Sequence, residues 1–241
     1  VSGTAMFSVG NVGALTGNAT FISAAIALIP MTAAAFAFGE LTAMIPGGGM
    51  ISDYTVPALG RFWGTFALLS GYVVLIACDG GTQLVMGGLT FEQMLGVPQL
   101  VVSLVILAII VLVNIFGVEF YGRAEASMTI IMMLVYLCIA VLGAAGAGES
   151  AGVAVPIPEN AGLLPEGGWP TVFGCVGTAI WFFIGFEFAC PMAEENKKPY
   201  KNIPYGLILG LLTIYVVDII FVYGAVKYTS LETMGTSSVP H

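Results

Sequence analysis

An all-α polytopic membrane fold is predicted by three observations. Only 8% of residues are charged while 58% are hydrophobic, mean hydropathy is +0.99, and charge-free runs of membrane length recur along the chain. A soluble domain of 241 residues does not reach that balance. The net charge of -8 comes from acids spread over connections and a few intramembrane positions, not from a run. It therefore points to no basic partner, and nucleic acid is excluded as a ligand class.

About 20 residues at ~1.5 Å rise cross a hydrocarbon core of roughly 30 Å. The runs Phe21 to Gly39, Phe62 to Cys78, Leu100 to Val118, Ala126 to Gly148, Gly167 to Phe186 and Ile203 to Val217 meet that length with their flanks. Taken in order they predict six complete spans at 21-44, 62-88, 99-118, 122-146, 170-193 and 203-226, in a single transmembrane domain over 1-241. Residues 1-16 read as the end of an earlier helix, and the chain opens on Val1 with no signal-peptide succession, as expected of a fragment. The segment 147-169, with Glu149, Glu159, Glu166 and several prolines but no base, reads as an external loop.

Lys and Arg set orientation, since acids hardly affect it. Arg61, Arg123, Lys197, Lys198 and Lys201 fall in alternate connections, leaving Lys227 on the other side. The connections 45-61, 119-123 and 194-202 are therefore expected to be cytoplasmic. Cys78, Cys138, Cys175 and Cys190 lie in apolar stretches without CxxC or Cys/His spacing, so they read as small core residues, not as a disulfide framework or zinc site.

Within these spans the costly residues mark candidate sites. Glu187 stands between Phe186 and Phe188, just after Gly185 and before Pro191. A carboxylate there needs water, a partner or a proton, and Gly with Pro suggests either close packing or a helix opened around something polar. Glu187 reads as a gating or coupling acid, against the alternative of a structural carboxyl bonded to a neighbouring helix. Asp79, followed by Gly80 and Gly81, divides between a coupling role and a helix-to-helix hydrogen bond. Asp218, closer to a span end and so to water, is expected to be structural. Ser2 to Phe7 is a small, hydroxyl-bearing stretch that fits close helix packing or a backbone approached by ligand.

Glu40 through Pro46-Gly-Gly-Gly49 ends a span in a glycine-rich turn that lacks the Lys-Ser/Thr of a phosphate loop and reads as a hinge at the cytoplasmic mouth. Glu194-Glu195 with Lys197-Lys198 reads as a wet helix end, with Pro199 stopping one helix and Pro204 starting the next. Trp181, Phe182, Phe183, Phe186 and Phe188 are packing surface or cavity wall, while Trp63 and Trp169 read as interfacial anchors.

Together these stretches resemble the amino acid-polyamine-organocation (APC) superfamily, in its amino acid permease branch. Gly3-Thr-Ala-Met-Phe7 looks like the first-helix Gly-Ser-Gly-Ile/Val-Phe motif, and Gly39-Glu-Leu41 through Pro46-Gly-Gly-Gly49 like the Glu-Leu...Pro-x-Gly-Gly loop. Trp181-x-Phe-Ile-Gly-x-Glu187, with Glu195-x-Lys-x-Pro199 and Ile203-Pro204, looks like the sixth helix and its exit. The resemblance implies a partial APC/LeuT-like inverted-repeat fold, from the end of helix 1 through helix 7, in a fragment cut at both ends. It implies a substrate carboxylate held by backbone at Ser2, Gly3, Thr4 and Ala5, and an ammonium held by carbonyls near Phe183, Ile184 and Gly185. Trp181 would be an aromatic wall and Glu187 a gating or coupling acid. Ala5 departs from the family's second glycine, and the fifth span lacks the lysine that replaces sodium in some relatives.

The expected function is secondary active transport of amino acids or related amines by alternating access across the plasma membrane. Membrane lipid is the expected surrounding, no cofactor is expected, and proton coupling, sodium coupling and exchange all stay open. The rival readings are an ion or solute channel, which needs rings of polar groups, and a transport-inactive interaction subunit. An enzyme is not expected: the sole histidine is His241 and there is no HExxH.

Overall fold

The computed structural model describes residues 3–49, 51–115, 118–145 and 162–225, and among these no strand occurs. Most of the expected external loop 147-169 lies outside the described residues, as do Ser2 and Lys227. The fold is built from helices α1 (Gly3–Thr16) and α2 (Thr20–Met44), then α3 (Ile51–Leu59), α4 (Arg61–Leu68), α5 (Leu75–Leu95), α6 (Gln99–Ile115) and α7 (Val118–Ala144). After the undescribed stretch come α8 (Gly168–Gly174), α9 (Val176–Ala179), two 3-10 segments (Ile180–Phe182 and Phe186–Glu195) and α10 (Pro199–Ala225).

Among the described residues, five helical stretches are long and apolar enough to cross a membrane: Ser8–Met44, Arg61–Leu95, Gly122–Gly143, Gly168–Glu195 and Pro199–Gly224. The run placed at 99-118 is a helix of 17 residues, Gln99–Ile115, at the short end of membrane-crossing length. Arg61–Leu95 is not one uniform helix: a π-helical turn, Leu69–Val74, separates α4 from α5. The last helix also differs from expectation. It begins at Pro199, and Pro204 lies inside it, not at its start. Proline is well suited to a first helical position, where its missing N–H would have no partner anyway.

Packing centres on α10, which runs along α2 and α7 and carries buried Ile203, Leu207, Leu211, Phe221 and Val222. Small residues allow the approach. A Cβ on Gly39 would meet Pro204 Cβ at 3.1 Å, and one on Gly224 would meet Ala140 Cα at 2.5 Å, so α10 touches α2 and α7 backbone to backbone. Val9 and Val12 of α1 join the same core with Phe182 and Phe183. Hydroxyls tie the turn between α1 and α2: Thr16 Oγ1 donates to Val12 O at 2.6 Å, and Thr20 Oγ1 to Gly17 O at 2.7 Å. Ser23 Oγ donates to Val172 O at 3.0 Å, pinning α2 to α8.

The second layer, α5 against α6, is held by Ser103 Oγ donating to Leu84 O at 2.8 Å. Large apolar side chains on α6 and α7, such as Leu104 and Ile131, stand exposed. Two cysteines correct the expectation of a buried set. Cys175 and Cys190 are buried, but Cys78 and Cys138 are exposed. In a chain this apolar, a surrounding of hydrophobic residues does not by itself mark the inner face of a helix.

Candidate functional site

The segment 168–195 is interrupted in its middle. The α-helical pieces give way to a 3-10 turn at Ile180–Phe182, then a non-helical turn, and helical structure resumes as a 3-10 segment at Phe186. Gly185 sits at the break with φ +101, a conformation that strains any residue with a Cβ. Its N–H is bonded by a side chain: it donates to Glu187 Oε2 at 3.1 Å. Glu187 thus folds back onto the start of the 3-10 segment, where a negative charge also meets the positive end of the aligned peptide dipoles. That gives the half-buried carboxylate a partner that sequence could not name.

Around the break the aromatic residues divide. Phe182 and Phe183 are core side chains, whereas Trp181 is 43% exposed. Phe186 meets Phe38 of α2 edge-on at 5.9 Å, and Phe188 meets Tyr72 in the same way at 5.9 Å. Tyr72 belongs to the π turn and lies within electrostatic reach of Glu187. Sequence reasoning missed Tyr72 and the π turn, although such turns are frequent at functional sites. A tyrosine one turn after Leu69 looks like any other apolar-face residue.

α1 packs against Ile180–Phe182 and α9, so the first helix runs beside the segment that leads into the break. Gly3, Thr4 and Ala5 form the start of α1, with their backbone described as helix; Ser2 lies outside the described residues. Ile184 is half-buried in the turn. Asp79 stands apart. It is half-buried on α5, which packs chiefly on α6, α1 and the π turn, and Gln83 Nε2 donates to its Oδ2 at 3.3 Å.

At the other end of the 3-10 segment, the glycine-rich turn meets Glu194: Gly48 N–H donates to Glu194 Oε1 at 2.7 Å. Gly49 N–H donates to Asp53 Oδ2 at 2.9 Å, fixing the turn to α3. Behind it the Thr42 hydroxyl and the Tyr54 hydroxyl lie 2.8 Å apart, with Tyr54 buried. Burial pushes the Tyr54 phenol up from its ordinary value, and the bond to Thr42 opposes that in part. Asp218 also departs from expectation. It is 1% exposed rather than open to water, because Phe221 and Val222 on its own helix are packed into the core beside it. Among the described residues no group of three or more His, Cys, Asp or Glu converges to hold a metal ion.

A broken, apolar helix packed against a small-residue helix is an arrangement that many folds could produce, so a family comparison is decisive. The family model described as Amino acid permease matches residues 1–237. The chain belongs to that family. The Branched-chain amino acid permease BcaP of Bacillus subtilis is similar at 25% identity over 237 residues, covering 88% of this chain and 48% of that protein. The Gamma-aminobutyric acid permease of the same organism is 25% identical, over 91% of this chain and 48% of its own length. The Methylthioribose transporter, also from Bacillus subtilis, is 24% identical over 96% of this chain and 53% of its own length. This permease spans about half the length of the curated relatives it matches. With its apolar helices, membership makes it an integral, multi-pass membrane protein with a partial APC-type fold, in a family of permeases and not of enzymes.

Proposed function

We propose that the permease is part of a secondary active transporter that carries amino acids or related amines by alternating access. The observation that supports this most is the break between Phe183 and Gly185, held open by a positive-φ glycine and packed beside α1. Irregular backbone at membrane depth is tolerated where it is buried in protein or lines a cavity, and it supplies groups that a continuous helix keeps for itself. In this reading Ser2, Gly3, Thr4 and Ala5 receive the substrate carboxylate. Carbonyls near Phe183, Ile184 and Gly185 receive the ammonium, and Trp181 forms a wall. Glu187 links the break to Tyr72, and Glu194 closes the inner mouth on Gly48.

In this reading the connections 45-61, 119-123 and 194-202 face the cytoplasm, which the basic residues Arg61, Arg123, Lys197, Lys198 and Lys201 support, and the membrane is the plasma membrane. The test is uptake into liposomes carrying the full-length protein, with radiolabelled branched-chain amino acids, γ-aminobutyrate and methylthioribose as probes. Saturable uptake of an amino acid or amine is expected. Uptake of methylthioribose alone would overturn the substrate class, and no uptake or exchange of any probe would overturn transport.

A further inference from the structure

Asp218 is used by neither the helix break nor the inner mouth, and among the described residues it stands out by its burial. It is 1% exposed, and among the described residues neither Oδ1 nor Oδ2 has a hydrogen-bond partner. A bare carboxylate in such a position carries a large desolvation cost with nothing to offset it. A neutral carboxylic acid removes most of that cost by taking up one proton.

The groups that face Asp218 leave few other ways to neutralise it. Phe221 lies three residues on, hence on the same side of α10, and its ring meets that of Tyr136 of α7 at a tilt of 42°, with centroids 4.7 Å apart. Tyr136 is accordingly within electrostatic reach of Asp218. α1 and the segment Ile180–Phe182 contain no titratable side chain. α2 contains Glu40 alone, beside the Gly39–Pro204 contact and so about 20 Å along α10 from Asp218. The acids of the 3-10 segment serve elsewhere, Glu187 at the break and Glu194 at the inner mouth, with Glu195 next to it and Cys190 close to Thr42. On α7, Glu125 and Arg123 are three turns or more from Tyr136, roughly 16 Å or farther, and Cys138 is exposed. On α10, Tyr215 donates its hydroxyl to Phe21 O at 3.2 Å, and Tyr223 is exposed.

We propose that Asp218 is a proton-binding site at the α7–α10 contact, filled in this packed state and emptied when the two helices part. Resting on the transport reading above, the proton it carries is the coupling ion. The step is a single protonation, carboxylate plus proton to carboxylic acid, with the proton drawn from water on the open side and returned on the other. A metal cation in its place would need several oxygen ligands around it, and among the described residues no group of three or more His, Cys, Asp or Glu converges there.

The first test is infrared difference spectroscopy on the full-length protein at neutral pH. A protonated-carboxyl C=O band is expected in the wild type, lost in Asp218→Asn and moved, not lost, in Asp218→Glu. Its absence from the wild type, or its persistence in Asp218→Asn, overturns the site. The second test uses liposomes. Accumulation driven by a proton gradient is expected to be lost in Asp218→Asn while counterflow of labelled amino acid persists, and replacing sodium by choline is expected to change nothing. Accumulation driven by sodium, or loss of counterflow together with accumulation, overturns the coupling role. Should no amino acid move at all, the transport reading falls, while the infrared band still decides whether Asp218 holds a proton.

Discussion

Gly48 N–H donates to Glu194 Oε1 at 2.7 Å, joining residues 146 positions apart in the chain. The bond closes the glycine-rich turn after α2 onto the end of the 3-10 segment, and Asp53 holds the same turn from α3 through Gly49 N–H. A turn without side chains lets a carboxylate reach backbone amides directly, which explains why glycines occupy it. In the proposed transport reading the arrangement is a latch across the inner mouth.

Breaking that latch should open the mouth. Glu194→Ala removes an exposed charged hydrogen bond worth about 1 kcal/mol, or roughly fivefold in the open population. The readout is maleimide labelling of buried Cys190 in a background where Cys78, Cys138 and Cys175 are Ser. Faster labelling from the inner face is expected, and an unchanged rate would remove Glu194 from the gate.

At the break, Gly185 and Glu187 should separate in their effects. Gly185→Ala forces a Cβ into φ +101, costing about 1–2 kcal/mol, and should lower the melting temperature of the full-length protein in detergent. Glu187→Gln keeps an oxygen for Gly185 N–H and so should melt close to wild type, while changing transport rate or its pH dependence. Unchanged transport and pH profile in Glu187→Gln would leave it a structural cap.

Packing of α10 on α7 gives a sharper stability contrast. Gly224→Ala places a Cβ 2.5 Å from Ala140 Cα and should cost about 1–3 kcal/mol by overpacking. Gly206→Ala, with nothing within 4 Å, should cost far less. Equal melting temperatures for the two variants would contradict the close approach.

Tyr54 gives the alkaline test. Its phenol is pushed up chiefly by burial, so its stabilising neutral form is fully present below the ordinary value of about 10 and is lost as pH rises through the higher folded value. A tyrosinate absorbance titration, wild type minus Tyr54→Phe, should therefore show a midpoint above the ordinary one. Tyr54→Phe should also lose about 1 kcal/mol through the broken bond to Thr42. A midpoint at or below the ordinary value would mean that Tyr54 is open to water.

What could be foreseen from sequence follows the physics of each residue. Glu187 and Gly185 stood out because polar and helix-breaking residues are costly in an apolar run, and the break falls at Gly185. The π turn was hidden because Leu69-Ser-Gly-Tyr-Val-Val74 has the same apolar character as an ordinary helical turn. Asp218 was misplaced for a related reason. Distance along a span suggests water, but its burial is set by Phe221 and Tyr136, which come together only when α10 packs on α7. Cys78 and Cys138 were misassigned because in a membrane chain the outer face is as apolar as the core. The contact from Gly48 to Glu194 joins distant segments, and no local pattern announces it.

The central claim is that the break at Phe183–Gly185 beside α1 is where a carrier binds an amino acid or amine. Counterflow in liposomes with the full-length protein tests it most directly, comparing wild type with Trp181→Ala and Gly185→Ala at matched insertion. The account predicts saturable exchange of labelled amino acid in the wild type and a raised half-saturation concentration or lost exchange in both variants. Flux that rises linearly with concentration, or exchange identical in all three proteins, would contradict it.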